Sequence, residues 1–408
     1  MKMRRLAVWL LLLCLLLTAC AAPVEQSATT TTTTTTATTA IATTESTTTT
    51  TTAETTTSTA APTTTSTRKQ VTTTRPPVKT TVTQAATTTA VTTTVRTTTT
   101  DYTTGTIGKT IYRRQEPPKG TSTPIMYKVT GDDGQLLWLF GSVHVGIEKM
   151  YPLPEYVQTA FDSADALAVE FDILAYEKDI AAQVGTLQAF RLPEGWVITD
   201  CIDANTYNRA RAILEDNDLY VSEMDYYEPI LWSQFIDGLV DDKTLPLINA
   251  SADLGVDRAL LTAAKERNMP IVDIESAQSQ TEMLASFSYT LQKQILLSSI
   301  SSYNRKPTGN ELLHTIDLWS EGGVLAMEDY LFGGDSYGDW RTQQLNKEYM
   351  DKMIHERNNA MANYARKALE SKQEVFLCVG LGHIIGETGL ATQLKDYGYT
   401  VQLVVEFN

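Results

Sequence analysis

Between about Ser27 and Thr106 the 408-residue chain is mostly threonine, broken by alanine, serine, valine and a few prolines. No apolar residue recurs there at helical or strand spacing, so the tract has no face to bury and nothing to offset the entropy of ordering it. It reads as a disordered stalk suited to O-glycosylation, which holds the C-terminal residues away from a surface. The fold must therefore be built almost entirely from the residues beyond it.

The segment before the stalk reads as an address. A basic start, "MKMRR", leads into "LAVWLLLLCLLL", an apolar stretch too short to span a bilayer comfortably. The stretch ends in "LTAC", a Leu-x-Ala-Cys pattern like the bacterial lipobox, after which a signal is cut and the cysteine lipidated. The expected organisation is a lipoprotein signal over 1–20, a stalk over 21–120 and a globular domain over 121–408, with Cys20 carrying a lipid anchor. That places the domain outside the cytoplasm, tethered to a bacterial cell membrane. Cys14 leaves with the signal, so only Cys201 and Cys378 remain in the body. Cys378, set in an apolar run, reads as a buried thiol rather than a disulfide partner.

The formal net charge of −15 belongs mainly to the domain, since the few charges of the stalk are largely Lys and Arg. An acidic domain with no basic stripe argues against nucleic acid as a partner. No repeat of solenoid period is present.

Within the domain, "PIMYKVTGDDGQLLWLFGSVHVG" predicts a hairpin: an alternating strand, a Gly-Asp-Asp-Gly turn and a more apolar strand. "LPEYVQTAFDSA" is next, a helix with Pro154 at its start, and then "ALAVEFD", a short apolar strand of the kind parallel sheets use. Residues 173–269 read as mainly helical and include the amphipathic "DLGVDRALLTAAKERN", which leads into the strand "MPIVDIES". A helical insertion spans about 281–364. After it come "EVFLCVGLGHIIG", the helix "GLATQLKDYG" and a last strand, "YTVQLVVEF". The fold class expected is α/β, a mixed sheet built from N- and C-terminal βαβ units with a large helical middle portion.

In open α/β sheets ligands gather beyond the carboxyl ends of the strands. Four predicted strands end in chemically capable residues: His144 after "LLWLFGSV", Glu170 in "AVEFD", Glu275 in "IVDIES" and His383 after "VFLCVGLG". Two of the four histidines thus share a Gly-x-x-His setting. Imidazole and carboxylate together hold Zn, Mn or Co with positions left open for water or substrate. Asp172, two residues beyond Glu170, is expected to face the same way. Gly141, Gly380 and Gly382 are assigned to sharp turns that let the backbone approach a bound group. In "MDKMIHERNNAMANYARKAL", helical spacing lines up Met350, Met353, Arg357, Ala360 and Tyr364, so Arg357 falls inside an apolar stripe and needs a carboxylate partner. Asn358 lies beside that stripe. His314 and His355 read as surface residues. "VGLGHIIG" also approaches a dinucleotide fingerprint, with Glu406 as the ribose-binding acid. Only two residues lie beyond Glu406, too few for the rest of such a unit, and the nucleotide reading is set aside.

"LFGSVHVG", "YPLPEYVQTAFDSADALAVEFD", "DLGVDRALLTAAKERNMPIVDIES", "ERNNAMA" and "VFLCVGLGHIIGETGL", in that order, resemble the TraB/GumN family, also called the TIKI-type or TraB/PrgY/GumN group, from roughly Pro124 onward. The resemblance implies a metal-dependent protease built around paired Gly-x-x-His motifs and an acid. Carried over residue by residue, His144 and His383 are the histidines, Glu170 the acid, and Arg357 with Asn358 the arginine–asparagine pair. The expected function is a surface-tethered metal-dependent hydrolase of peptide type, with a divalent ion (Mn, Co or Zn) held by His144, His383 and Glu170. Glu275 or Asp172 would act as general base, and Arg357 would orient an acid or hold an oxyanion. The alternative is a protein that binds or sequesters peptide without cleaving it. Either way the expected partners are a peptide or protein substrate and a membrane reached through the lipid anchor.

Overall fold

The computed structural model describes residues 122–333 and 339–404. The leader, Cys20, the Thr-rich tract and Glu406 lie outside the described residues.

Six strands form one sheet: β1 (Met126–Thr130), β2 (Leu136–Ser142), β4 (Ala166–Val169), β6 (Ile271–Asp273), β7 (Val375–Gly380) and β8 (Thr400–Leu403). Their order across the sheet is β6-β4-β7-β2-β1-β8. β1 and β2 are the expected hairpin, paired antiparallel from Met126 opposite Phe140 to Thr130 opposite Leu136. β2–β7, β7–β4 and β4–β6 are all parallel. The fold is a mixed α/β arrangement, most of it helical, as the alternation of apolar runs and amphipathic stretches predicts. β3 (Gly146–Ile147) and β5 (Ala250–Ser251) add a separate two-stranded ribbon with no counterpart in the sequence reading.

Neither βαβ unit closes on its neighbour. The N-terminal one runs β2, the helix Glu155–Ser163, β4, and leaves one strand's width between its strands, which β7 fills. The C-terminal one runs β7, the helix Leu390–Asp396, β8, and places β8 antiparallel to β1, past both strands of the hairpin. β7 is thus the sheet's centre and every residue of it is buried, which explains the unbroken apolar run "VFLCV". Cys378 within it is buried and free.

The helices Glu155–Ser163, Val256–Glu266 and Leu390–Asp396 pack their apolar faces on the sheet, together with buried residues of Glu356–Ser371. A second apolar cluster has no strand in it. It gathers around Trp232, Phe235 and Ile236 of the helix Pro229–Thr244 and Leu291, Leu296 and Ile300 of the helix Tyr289–Asn304. Among the described residues no helix is long and apolar enough to cross a membrane.

The stripe expected after Met350 is corrected by one residue. Asp351–His355 is a π-helical turn, and the residue it inserts rotates the rest of the helix by ~100°. The buried set beyond it is Arg357, Asn358, Met361, Ala362, Ala365, Ala368 and Leu369, while Ala360 is exposed and Tyr364 half-buried.

Candidate functional site

Four adjacent parallel strands deliver the site. β2 ends at Ser142, two residues before His144, and β4 ends at Val169, directly before Glu170. Parallel pairing continues past β4 and β6, with Ile274 N donating to Val169 O at 3.0 Å and Glu275 N to Glu170 O at 2.8 Å, which draws Glu275 beside Glu170. β7 ends at Gly380 and turns at once into a single helical turn, Leu381–Ile384, that carries His383.

These elements converge on Gly380. Its amide donates to Glu170 Oε1 at 2.8 Å. A Cβ placed there would lie 3.3 Å from Glu170 Oε1, 3.6 Å from His383 Cδ2 and 3.9 Å from His144 Nε2. Of these only the contact with Glu170 Oε1 is tighter than usual, and Gly380 marks the place where the three functional side chains come together. At Gly141 a Cβ would stand 2.4 Å from Leu381 Cδ1 and 3.2 Å from its Cα, so the two Gly-x-x-His turns pack backbone against backbone. Gly382 meets only ordinary contacts and nothing in the fold demands glycine there.

Arg357 binds the acids. Its Nη2 donates to Glu170 Oε2 at 2.5 Å and to Glu275 Oε2 at 2.8 Å, its Nε to both oxygens of Glu275, and its Nη1 to Met353 O at 3.2 Å. The guanidinium is spent on orienting two carboxylates rather than left open to an oxyanion. Gln280 bridges the same pair, its Nε2 donating to Glu170 Oε2 and Glu275 Oε2 at 2.9 Å each.

Each histidine is held from behind. His144 Nδ1 lies 2.9 Å from Asp257 Oδ2 and His383 Nδ1 lies 2.7 Å from Asn358 Oδ1. The Nε2 atoms of both rings are buried and make no hydrogen bond. His383 Nε2 stands 3.9 Å from Glu170 Oε1.

The other candidates go elsewhere. Asp172 lies beyond the last residue of β4, so strand alternation no longer sets its direction; it caps the helix Ile173–Tyr176 and pairs with Lys265 at 2.5 Å. His355 pairs with Asp351 and His314 meets the ring of Tyr330, so neither joins the site. Two members escaped the sequence reading. Asp257 and Gln280 both sit near the start of a helix, where an acid or amide is ordinarily taken for a response to the helix dipole or a solvated face.

The electrostatics divide the site. Burial works to raise the pKa of Glu170, but Arg357, then both imidazoles and the Gly380 amide, outweigh it and hold the carboxyl well below its usual range. His383 is pushed down to about 3 by burial, with Arg357 and His144 adding to it against Glu170. His144 goes the other way: burial opposes its charge, yet Asp257, by charge and hydrogen bond, and Glu170 raise it above the ordinary imidazole value.

Imidazole nitrogen and carboxylate oxygen are donor types that a divalent cation takes. The Nε2 atoms of both imidazoles are unpartnered, and the 3.9 Å from that of His383 to Glu170 Oε1 is compatible with a shared ion, since donors each about 2.1 Å from a metal stand at most about 4.2 Å apart. As the side chains stand, Glu170 is held by Gly380, Arg357 and Gln280, and no group of three or more His, Cys, Asp or Glu among the described residues is arranged around an ion position.

Buried imidazoles and an arginine-bound carboxylate at the carboxyl ends of a parallel sheet define an α/β protein with its chemistry where such folds hold ligands. Residues 125–403 match the TraB/PrgY/gumN family, and the chain belongs to it. The chain is also 23% identical over 257 residues to "Uncharacterized protein YbaP" of Escherichia coli (strain K12), over 63% of this chain and 87% of that one. The protein of the same name in Shigella flexneri matches with the same figures. No solved structure matches the chain.

Proposed function

We propose that this protein is a surface-tethered, metal-dependent hydrolase of peptide type, with His144, His383 and Glu170 holding a divalent cation. One observation carries the reading: two buried imidazole nitrogens have no hydrogen-bond partner, and that of His383 stands 3.9 Å from a carboxylate oxygen of Glu170. Buried polar atoms are rarely left unpaired, and two together call for an occupant. Such a cation, when bound, supplies a Lewis acid and a water of lowered pKa. The chain's own residues supply position. Arg357 and Gln280 keep Glu170 ionised and aimed. Glu275 balances the charge of Arg357, and so serves as a positioning residue rather than a free base. The lipobox at "LTAC" makes Cys20 the membrane anchor of an extracytoplasmic domain.

A specific observation also favours non-catalytic peptide binding: both oxygens of Glu170 are already engaged. Metal analysis of the domain, with peptide-library cleavage in the presence and absence of chelator, separates the two readings. His144→Ala and His383→Ala are each expected to remove metal and any cleavage while His314→Ala and His355→Ala leave both intact, and the double variant should be no worse than either single one. Metal-free protein with chelator-insensitive peptide binding would establish the alternative. For the anchor, Cys20→Ser should move the protein out of the membrane fraction; a mature-length variant that still pellets with membranes refutes lipidation.

A further inference from the structure

The two rings are held by different chemical groups. Asn358 Nδ2 donates to Thr388 O at 2.8 Å, which fixes its amide so that Oδ1 is the atom presented to His383 Nδ1 at 2.7 Å. An amide oxygen only accepts, so His383 must carry its hydrogen on Nδ1, and Nε2 is left as a lone pair. Asp257 reaches the same result for His144 by another route. Val256 N donates to Val143 O at 2.9 Å, seating the start of the helix Val256–Glu266 against the first Gly-x-x-His turn. Asp257 Oδ2 then lies 2.9 Å from His144 Nδ1, while its Oδ1 is buried with no partner. Asp257 is half-buried in the first turn of its helix, and its one side-chain hydrogen-bond contact is that imidazole nitrogen, so beyond answering the helix dipole its carboxylate serves to hold the ring.

We propose that Asp257 is a positioning residue of this site: it keeps His144 as the Nδ1–H tautomer and turns its Nε2 toward Gly380, around which Glu170 and His383 also gather. The two tautomers are matched but the groups behind them are not, since one is a carboxylate and the other an amide. A carboxylate behind an imidazole strengthens the ring as a donor, so His144 is the stronger ligand of the pair and His383 the weaker. That ranking, unlike the tautomers, rests on the proposed divalent-cation site.

The test uses the two properties separately. In protein labelled with 15N in histidine, long-range 1H–15N correlation at alkaline pH, where free imidazole is neutral, reports which ring nitrogen holds the hydrogen. Without metal, His144 and His383 should both be Nδ1–H. Asp257→Ala should release His144 to Nε2–H or a mixture and leave His383 unchanged; Asp257→Leu, which has no acceptor atom, is the second variant should the alanine form fail to fold. Cobalt(II) titration of the metal-free protein, read by visible absorption, should show both variants weakened by about 10–100-fold, with unaltered thermal midpoints, against an Asp253→Asn control that binds like the parent. An Nε2–H tautomer of His144 in the parent, or a variant that keeps Nδ1–H and full cobalt affinity, overturns the inference. Matched Nδ1–H tautomers in a parent that binds no cobalt would sink the metal reading and leave the assignment of Asp257 standing.

Discussion

The molecule buries carboxylates in two places and treats them oppositely. At the strand ends Glu170 and Glu275 share Arg357, and Glu170 is more acidic than usual despite its burial because a cation lies within 2.5 Å. In the strandless helical layer, Glu228 is pushed up to about 7, Asp237 to about 7 and Asp241 to about 8, burial being the first cause each time. Gln292 donates to Glu228 and Ser299 to Asp237, while Asp237 and Asp242 add repulsion at Asp241; among the described residues no cation offsets burial at any of the three. Burial alone does not decide whether an acid stays charged; the nearest cation does. The first region is built to keep charge and the second to shed it.

The sharpest way to break that contrast is Arg357→Ala. It leaves Glu170 and Glu275 buried side by side, and about 3–5 kcal/mol of stability should be lost at neutral pH, measured by urea unfolding. In the parent the depressed pKa of Glu170 gives stability that is present above its unfolded value and lost only as pH falls through the folded one. The variant should instead recover stability on acidification, as Glu170 takes up a proton. A loss below about 1 kcal/mol would mean that Arg357 does not hold the pair together.

Gln280→Met is the milder probe of the same network. Arg357 still serves both acids, but each loses one donor, and about 1 kcal/mol should go. A cost as large as that of Arg357→Ala would shift the centre of the network from the guanidinium to the amide.

The smallest effect belongs to the other region and has the opposite sign. The folded pKa of Asp241 is raised, so its contribution is fully present below the unfolded carboxyl value and lost as pH rises toward about 8. Asp241→Asn should therefore melt like the parent only below about pH 4, draw ahead as pH rises above that, and melt roughly 2–4 °C higher at alkaline pH. A constant offset at every pH would show that Asp241 does not titrate late.

Much of the fold was legible because local chemistry fixed it. The Gly-Asp-Asp-Gly turn specifies the β1–β2 hairpin, and apolar runs mark β4 and β7 as buried on both faces. The hidden features depended on partners far along the chain. Nothing in "VFLCVG" says that β7 separates β2 from β4, because a continuous apolar run suits any central position. The phase of the Arg357 helix was misread because a π-helical turn has no compositional mark. In the site, the paired Gly-x-x-His turns were visible because histidine is scarce and glycine informative. Arg357 stood out as a charge within an apolar stripe. Asp257 and Gln280 are common residue types in common places, and only their hydrogen bonds to His144 and Glu170 reveal them.

The central place of β7 has a kinetic meaning. Trp138 on β2 donates its indole N–H to Glu374 at the foot of β7, across a sequence separation of 236 residues. Closing so long a loop is slow, and parallel pairing of this kind returns its stabilisation only after that entropy has been spent. During synthesis β2 and β4 must wait with an open slot between them until β7 arrives. The same arrival brings His383 to His144. A chain stopped before Val375 carries neither the middle of its sheet nor the second imidazole, so completing the fold and completing the site are a single event.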